Sequence, residues 1–128
     1  DRELKRGDAR QFGSLYRGKS FLEAGSPWGG GTDAPFGGAD PWAAMRAAVH
    51  RKTASGKVIG VREKLTPEQA LAMFTSSAET PGGPPRRIAP GQTADLCLLA
   101  RPWSEARVRI SRDDVAMTAL AGTITYRR

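Results

Sequence analysis

Apolar side chains recur at helical spacing in three stretches of the first 80 residues. Asp8 can cap a helix that runs to Ala24, with Gly25 beyond its end. A second helix is expected to open at Asp40-Pro41, because Asp is a favoured N-cap and Pro a favoured first helical residue. The apolar face of this second helix is formed by Trp42, Met45, Ala48 and Val49.

The third stretch carries the strongest signal for a helix start. Thr66 and Gln69 have the spacing of a capping box, and Pro67 occupies the first turn. Leu71 and Phe74 then fall on one face. The pattern predicts a helix that begins after Thr66 and extends to about residue 75.

The pattern changes after residues 81–85, whose Pro-Gly-Gly-Pro-Pro sequence interrupts regular structure. Residues 95–99 predict a buried strand in which Cys97 is a small core residue. Residues 115–120 and 123–126 predict two further strands, joined at Ala121-Gly122 as a hairpin. The sequence therefore predicts an α/β chain that is helical to about residue 80 and β-rich afterwards.

Composition restricts the class of protein further. The 128 residues suit one domain, and 15 Gly with 9 Pro indicate a loop-rich chain with a modest core. No apolar run approaches the roughly 18 residues of a membrane helix, and no segment resembles a signal or transit peptide. We therefore expect no membrane partner and a cytoplasmic location.

The formal charge of +7 raises the question of nucleic-acid binding. The basic residues are scattered among acidic ones. The runs Arg86-Arg87 and Arg127-Arg128 are pairs and not longer clusters. Such scattering is typical of a solvated surface. The sequence therefore predicts no nucleic-acid partner.

Asp33 is the candidate catalytic residue. It follows a short predicted strand that ends near Thr32, within a glycine-rich loop. An aspartate in this setting commonly caps a turn through its own backbone. The alternative is a carboxylate at the C-terminal end of a barrel strand, where barrel enzymes place catalytic groups. Spacing by itself leaves both interpretations open.

Five segments, in order over about 95 residues, resemble the C-terminal portion of an amidohydrolase superfamily protein, of the YtcJ-like amidohydrolase family 3. The segments are residues 31–35 (GTDAP), 47–51 (AAVHR), 65–75 (LTPEQALAMFT), 90–96 (PGQTADL) and 118–126 (TALAGTITY). The resemblance implies a C-terminal fragment of a metal-dependent (β/α)8 TIM barrel plus strands of a composite β-sandwich domain. Residues 1–80 would supply the last barrel helices and final strand, and residues 81–128 the returning sandwich strands.

The same resemblance implies hydrolysis of carbon–nitrogen bonds other than peptide bonds, with a small-molecule amide-type substrate and a divalent metal, zinc being expected, in the parent protein. Asp33 matches the family's final-strand aspartate, which lies at the metal and accepts the proton of the attacking water. A carboxylate suits this role because a metal lowers the pKa of bound water toward about 7. Asp95, in another of the matching segments, is interpreted as structural.

The family's His-x-His ligands, its bridging lysine or acid and its two further histidines have no counterpart here. His50 is the single histidine, and a zinc site usually takes several such ligands. We therefore expect that no metal binds tightly to this chain alone and that the chain alone is inactive. The alternative function is a non-catalytic module, derived from the barrel tail, that associates with itself or with another partner.

Overall fold

A computed structural model describes residues 13–128 as a mixture of helices and one small antiparallel sheet. Two 3-10 turns, Val61–Glu63 and Arg112–Asp114, complete the regular structure. No helix in this range is long and apolar enough to span a membrane. The elements in chain order are α1 (Gly18–Glu23), α2 (Pro41–His50), α3 (Pro67–Thr75), β1 (Leu96–Leu99), α4 (Trp103–Arg109), β2 (Val115–Leu120) and β3 (Thr123–Arg127).

The starts of α2 and α3 confirm the capping predictions. The Asp40 carboxylate accepts a hydrogen bond from the N–H of Trp42 at 2.9 Å. At α3, the N–H of Gln69 donates to the Thr66 hydroxyl at 3.1 Å, and the Gln69 side chain accepts from the Thr66 N–H at 2.9 Å. These bonds satisfy N–H groups that have no partner inside a helix.

The core lies where α2, α3 and the C-terminal elements meet. Trp42 and Met45 of α2 pack with Ala70 of α3 and with Ile110 and Val115. The predicted apolar face of α2 is therefore the face that it buries. Ile110 has a left-handed backbone and ends α4, a helix that the hydrophobic pattern did not predict.

The C-terminal sheet has the strand order β1-β2-β3, with antiparallel pairing throughout. The predicted β2–β3 hairpin is confirmed, and its turn residues Ala121 and Gly122 have φ of +48° and +82°. Two successive positive φ values suit the right-handed twist of a tight hairpin. Gly122 also donates its N–H to the carbonyl of Ala94 at 3.0 Å, which ties the turn to the entrance of β1.

The predicted strand at residues 95–99 is present as β1, but the prediction that this strand is buried is wrong. Leu98 is 54% exposed, and Cys97 is exposed beside it. The apolar residues correctly indicate a strand, but among residues 13–128 only Leu99 of β1 packs against the core, and no second sheet covers the other three residues. A sheet needs such a layer to bury its apolar face.

Two further predictions about the helical half need correction. The short strand predicted to end near Thr32 is not formed. Residues 26–33 contain no turn or bend, but no other segment of residues 13–128 forms a hydrogen-bonded ladder with them. The first helix covers only Gly18–Glu23, after Tyr16, whose φ of +52° interrupts helical geometry. The predicted helix start at Asp8 lies outside the described residues.

Candidate functional site

Asp33 occupies a tight loop at the end of the straight segment 26–32. Its φ is +57°, in the left-handed region that Asp and Asn enter more readily than most residues. The Asp33 carbonyl accepts a hydrogen bond from the Gly37 N–H at 2.7 Å, and a Cβ at Gly37 would overlap the carbonyl oxygen of Thr32. The Ala34–Pro35 peptide within this loop is cis. The backbone conformation of this loop therefore determines the position of the Asp33 side chain.

The Asp33 side chain is exposed and makes no hydrogen bond or ion pair with any of residues 13–128. In the turn-capping interpretation, this carboxylate would bond to the backbone of its own loop, and it does not. The carboxylate is therefore available to a molecule or polypeptide that approaches the loop.

Metal binding needs more ligands than this loop provides. Among residues 13–128 there is no group of three or more His, Cys, Asp or Glu side chains that could hold an ion. His50 is exposed at the end of α2, and Cys97 lies on the exposed strand β1. Because a zinc site takes three or four protein ligands, Asp33 with its surroundings does not by itself fit a metal.

A cavity of about 590 Å³ borders the segment that leads to Asp33. This volume falls within the range of about 300–1,000 Å³ typical of small-molecule sites. Its apolar walls come from α1, α2 and α3, represented by Phe21, Ala44 and Met73. Gly29–Gly31 form one border of the cavity. This cavity is thus adjacent to the chain segment that carries the candidate carboxylate.

Arg51 forms part of the cavity wall and is only 5% exposed. Its φ of +55° ends α2, and its guanidinium donates to the carbonyls of Ile59 (3.1 Å), Tyr16 (3.1 Å) and Leu15 (2.5 Å). Burial lowers the pKa of Arg51, while the nearby Glu63 carboxylate acts in the opposite direction. Arg51 therefore joins three chain segments, and sequence reasoning had noted it only as part of a matching segment.

Among residues 13–128, Glu63 is the only acidic residue in the cavity lining, and it is 8% exposed. Its carboxylate accepts hydrogen bonds from the Ser20 hydroxyl and from the Ser20 N–H, the latter at 2.9 Å. These two bonds lower the pKa of Glu63, because they stabilise the charged form. Sequence reasoning missed this contact, since the partners lie 43 positions apart and no motif connects them.

Asp95 has the structural role predicted for it. One carboxylate oxygen accepts from the Ala121 N–H at 2.8 Å, and the other lies 2.9 Å from Nη1 of Arg86. The hydrogen bond from Ala121, followed by that from Arg86, lowers the pKa of Asp95. Asp95 thus holds the β2–β3 turn against the start of β1.

Asp114 is a second buried carboxylate that the pattern did not single out. It is 1% exposed, and its Oδ1 lies 2.7 Å from Nε of Arg101 and 3.4 Å from Nη1 of Arg109. The carbonyl of Asp114 accepts from the Ala100 N–H at 2.8 Å. These contacts connect the two ends of α4 to the start of β2, which is a structural role.

Comparison with known proteins places the chain in a family of hydrolytic enzymes. Residues 2–126 match the model of the amidohydrolase family, so the chain belongs to that family. It is also 30% identical over 127 residues to an N-substituted formamide deformylase from Arthrobacter pascens, a match that covers 96% of this chain. The chain spans 23% of the length of that relative. No solved structure matches it.

Proposed function

We propose that this chain is the C-terminal part of a metal-dependent hydrolase that acts on carbon–nitrogen bonds other than peptide bonds. The family match over residues 2–126 supports the reaction class, and the formamide deformylase relative supports an amide-type small molecule as the substrate. In this proposal residues 1–80 belong to the end of a (β/α)8 barrel and residues 81–128 to a small β-sandwich.

In this proposal Asp33 is the catalytic residue that accepts a proton. The observation that carries this assignment is its exposed carboxylate, which has no partner among residues 13–128 and lies in a loop directly after the straight segment 26–32. A carboxylate so placed can accept a proton from an attacking water molecule. The ligands of a divalent ion, zinc being expected, would have to come largely from outside residues 13–128, because no cluster of ligating side chains lies within them.

The chain alone is therefore inactive in this proposal. The purified 128-residue protein is expected to hold no stoichiometric zinc by elemental analysis and to release no formate from an N-substituted formamide. Stoichiometric zinc together with formate release would contradict this expectation.

A chimera tests the role of Asp33 itself. This chain replaces the aligned segment of the Arthrobacter deformylase, and formate release is measured. We expect the chimera to be active and its Asp33→Asn variant to lose about 100-fold or more in kcat, the scale of a lost general base. Glu79→Gln, at an exposed carboxylate without a side-chain partner among the described residues, is the matched control. If the Asp33→Asn chimera were as active as the unsubstituted chimera, Asp33 would have no catalytic role.

A non-catalytic, self-associating module is the second candidate. It is favoured by apolar side chains left uncovered on one face of the sheet, of which Leu96 is 37%, Leu98 54% and Ile124 47% exposed. Clustered apolar residues of this kind often mark interaction surfaces. Light scattering coupled to size-exclusion chromatography should then give one defined oligomer that Leu98→Lys dissociates. A monomer or a heterogeneous aggregate would exclude this function.

A further inference from the structure

Phe36 is a large apolar residue that the described part of the chain leaves uncovered. It is 91% exposed, and the next two residues, Gly37 and Gly38, have no side chains to shield its ring. A single exposed apolar residue is common on protein surfaces and does not by itself mark a site. The position of Phe36 is the informative feature, because it places the ring in the same turn as the candidate catalytic carboxylate.

One main-chain hydrogen bond connects Phe36 with Asp33. The N–H of Gly37 donates to the Asp33 carbonyl at 2.7 Å, and this N–H belongs to the peptide group that begins with the Phe36 carbonyl. The chain packs so closely here that a Cβ at Gly37 would overlap the carbonyl oxygen of Thr32. The backbone of the turn thus keeps Phe36 and Asp33 next to each other.

Phe36 is also the one large apolar side chain of this turn. The other residues from 32 to 38 are small, polar or, like Pro35, compact, and none carries a positive charge. Asp33 and Phe36 do not line the cavity of about 590 Å³, so the surface that they form is separate from it. The turn therefore offers one carboxylate and one apolar ring to a molecule that approaches it.

These two side chains suit two neighbouring parts of an N-substituted amide. The carboxylate accepts the proton of the water molecule that attacks the carbonyl carbon. The substituent is attached to the nitrogen beside that carbon, and in a formamide it is the only part of the molecule that can be large and apolar. A ring held next to the carboxylate can therefore contact this substituent, and aromatic side chains commonly line small-molecule sites.

We propose that Phe36 is a specificity-determining residue that packs against an apolar substituent on the substrate nitrogen, with a preference for an aromatic ring. Contact between two rings adds attraction beyond the burial of apolar surface, which favours an aromatic substituent over an alkyl group. This inference rests on the proposed function, since it takes Asp33 as the catalytic carboxylate. It adds the chemical class of the substituent that the enzyme prefers.

The test compares two formamides in the chimera of this chain with the Arthrobacter deformylase. Phe36→Ala should lose about 20-fold or more in kcat/KM for N-benzylformamide, the scale of one buried large apolar side chain. For N-methylformamide it should lose at most about fourfold, the scale of one buried methyl group. Phe36→Tyr keeps the ring and should retain the preference. Ile88→Ala, at an apolar residue that is also 91% exposed, is the matched control and should leave both values unchanged.

Binding provides a second readout that needs no turnover. The dissociation constant of N-(4-fluorobenzyl)formamide is measured by fluorine NMR in the Asp33→Asn chimera, which lacks the carboxylate but retains the ring. Adding Phe36→Ala to this chimera should raise the dissociation constant about tenfold or more, whereas adding Ile88→Ala should not.

Several results would overturn the role of Phe36. Equal losses for the two formamides, or a lower melting temperature of the Phe36→Ala chimera, would mean that the ring packs on another part of the hydrolase. An unchanged preference or unchanged binding in Phe36→Ala would mean that the ring does not contact the substrate.

This proposal and the catalytic role of Asp33 fail separately. If Asp33→Asn abolishes activity while Phe36→Ala leaves the preference unchanged, only the specificity role is removed. If Asp33→Asn retains full activity, only the catalytic role is removed, and the ratio of the two kcat/KM values still reports on Phe36.

Discussion

Ser20 holds the carboxylate of Glu63 from two directions, through its hydroxyl and through its main-chain N–H, which lies 2.9 Å from Oε2. This contact ties α1 to the Val61–Glu63 turn and closes one side of the cavity of about 590 Å³. Arg51 binds carbonyls of Leu15, Tyr16 and Ile59 nearby. The cavity is therefore framed by polar contacts between segments that are distant in sequence, and those contacts can be tested individually.

Stability should fall in acid partly because of Glu63. Its pKa is lowered in the folded chain, so the charged carboxylate contributes stability above the ordinary glutamate pKa, and that contribution is lost as the pH falls through the folded value. We expect the free energy of unfolding by urea to decline below roughly pH 4.3, and Glu63→Gln to reduce this decline. Glu68 and Asp95, whose pKa values are also lowered, contribute to the decline in the same direction. An identical pH profile for wild type and Glu63→Gln would contradict the assignment.

Arg51→Lys should destabilise the chain although it retains the charge. The three N–H donors of lysine share one nitrogen, so they cannot reach the carbonyls that Arg51 contacts from the three separate nitrogens of its planar guanidinium, and the lost hydrogen bonds cost about 2–4 kcal/mol in total. Denaturant unfolding at neutral pH measures this loss. Arg87→Lys, at an exposed position, is expected to change the free energy of unfolding by less than about 0.5 kcal/mol. A comparable loss in both variants would mean that the Arg51 contacts do not contribute.

Gly82→Ala tests a close approach of two main-chain segments. Gly82 has φ of +76°, and a Cβ there would overlap the backbone of Trp28. Gly56 has a similar φ of +81°, but a Cβ would meet nothing within 4 Å. Gly56→Ala should therefore lose only the cost of a left-handed backbone, about 1–2 kcal/mol. Gly82→Ala should lose clearly more in thermal or urea unfolding, and equal losses would indicate that residues 28 and 82 are not in contact.

Thr66→Ala should shorten or destabilise α3. The substitution removes the hydroxyl that accepts from the Gln69 N–H and costs about 1 kcal/mol. Thr66→Ser retains that oxygen and is the control, with a loss of at most a few tenths of a kcal/mol. Urea unfolding followed by circular dichroism distinguishes the two. If Ser and Ala were equally destabilising, the lost methyl contact and not the cap would be responsible.

Features that depend on a few neighbouring residues were determined by the sequence. Asp40-Pro41 and Thr66-Pro67 predicted two helix starts, and the structure has both. The Ala121-Gly122 turn predicted a hairpin with the observed strands on either side. Caps and tight turns satisfy their hydrogen bonds within a few residues, so their chemistry is visible along the chain.

Whether a segment is buried, and whether it pairs as a strand, was decided by the tertiary structure. The apolar run of β1 indicates a strand, but not whether a second layer buries it, and Leu98 remains exposed. The short strand predicted to end near Thr32 is absent, because a strand needs a ladder of hydrogen bonds to a neighbour, and the described residues provide a single one, from the Gly30 N–H to the Met73 carbonyl. The Ser20–Glu63 bond likewise joins distant positions without a motif. The sequence alone marked Asp33 as a candidate carboxylate, whereas only the three-dimensional arrangement revealed that its side chain has no partner among residues 13–128 and that a cavity borders the glycines that precede it.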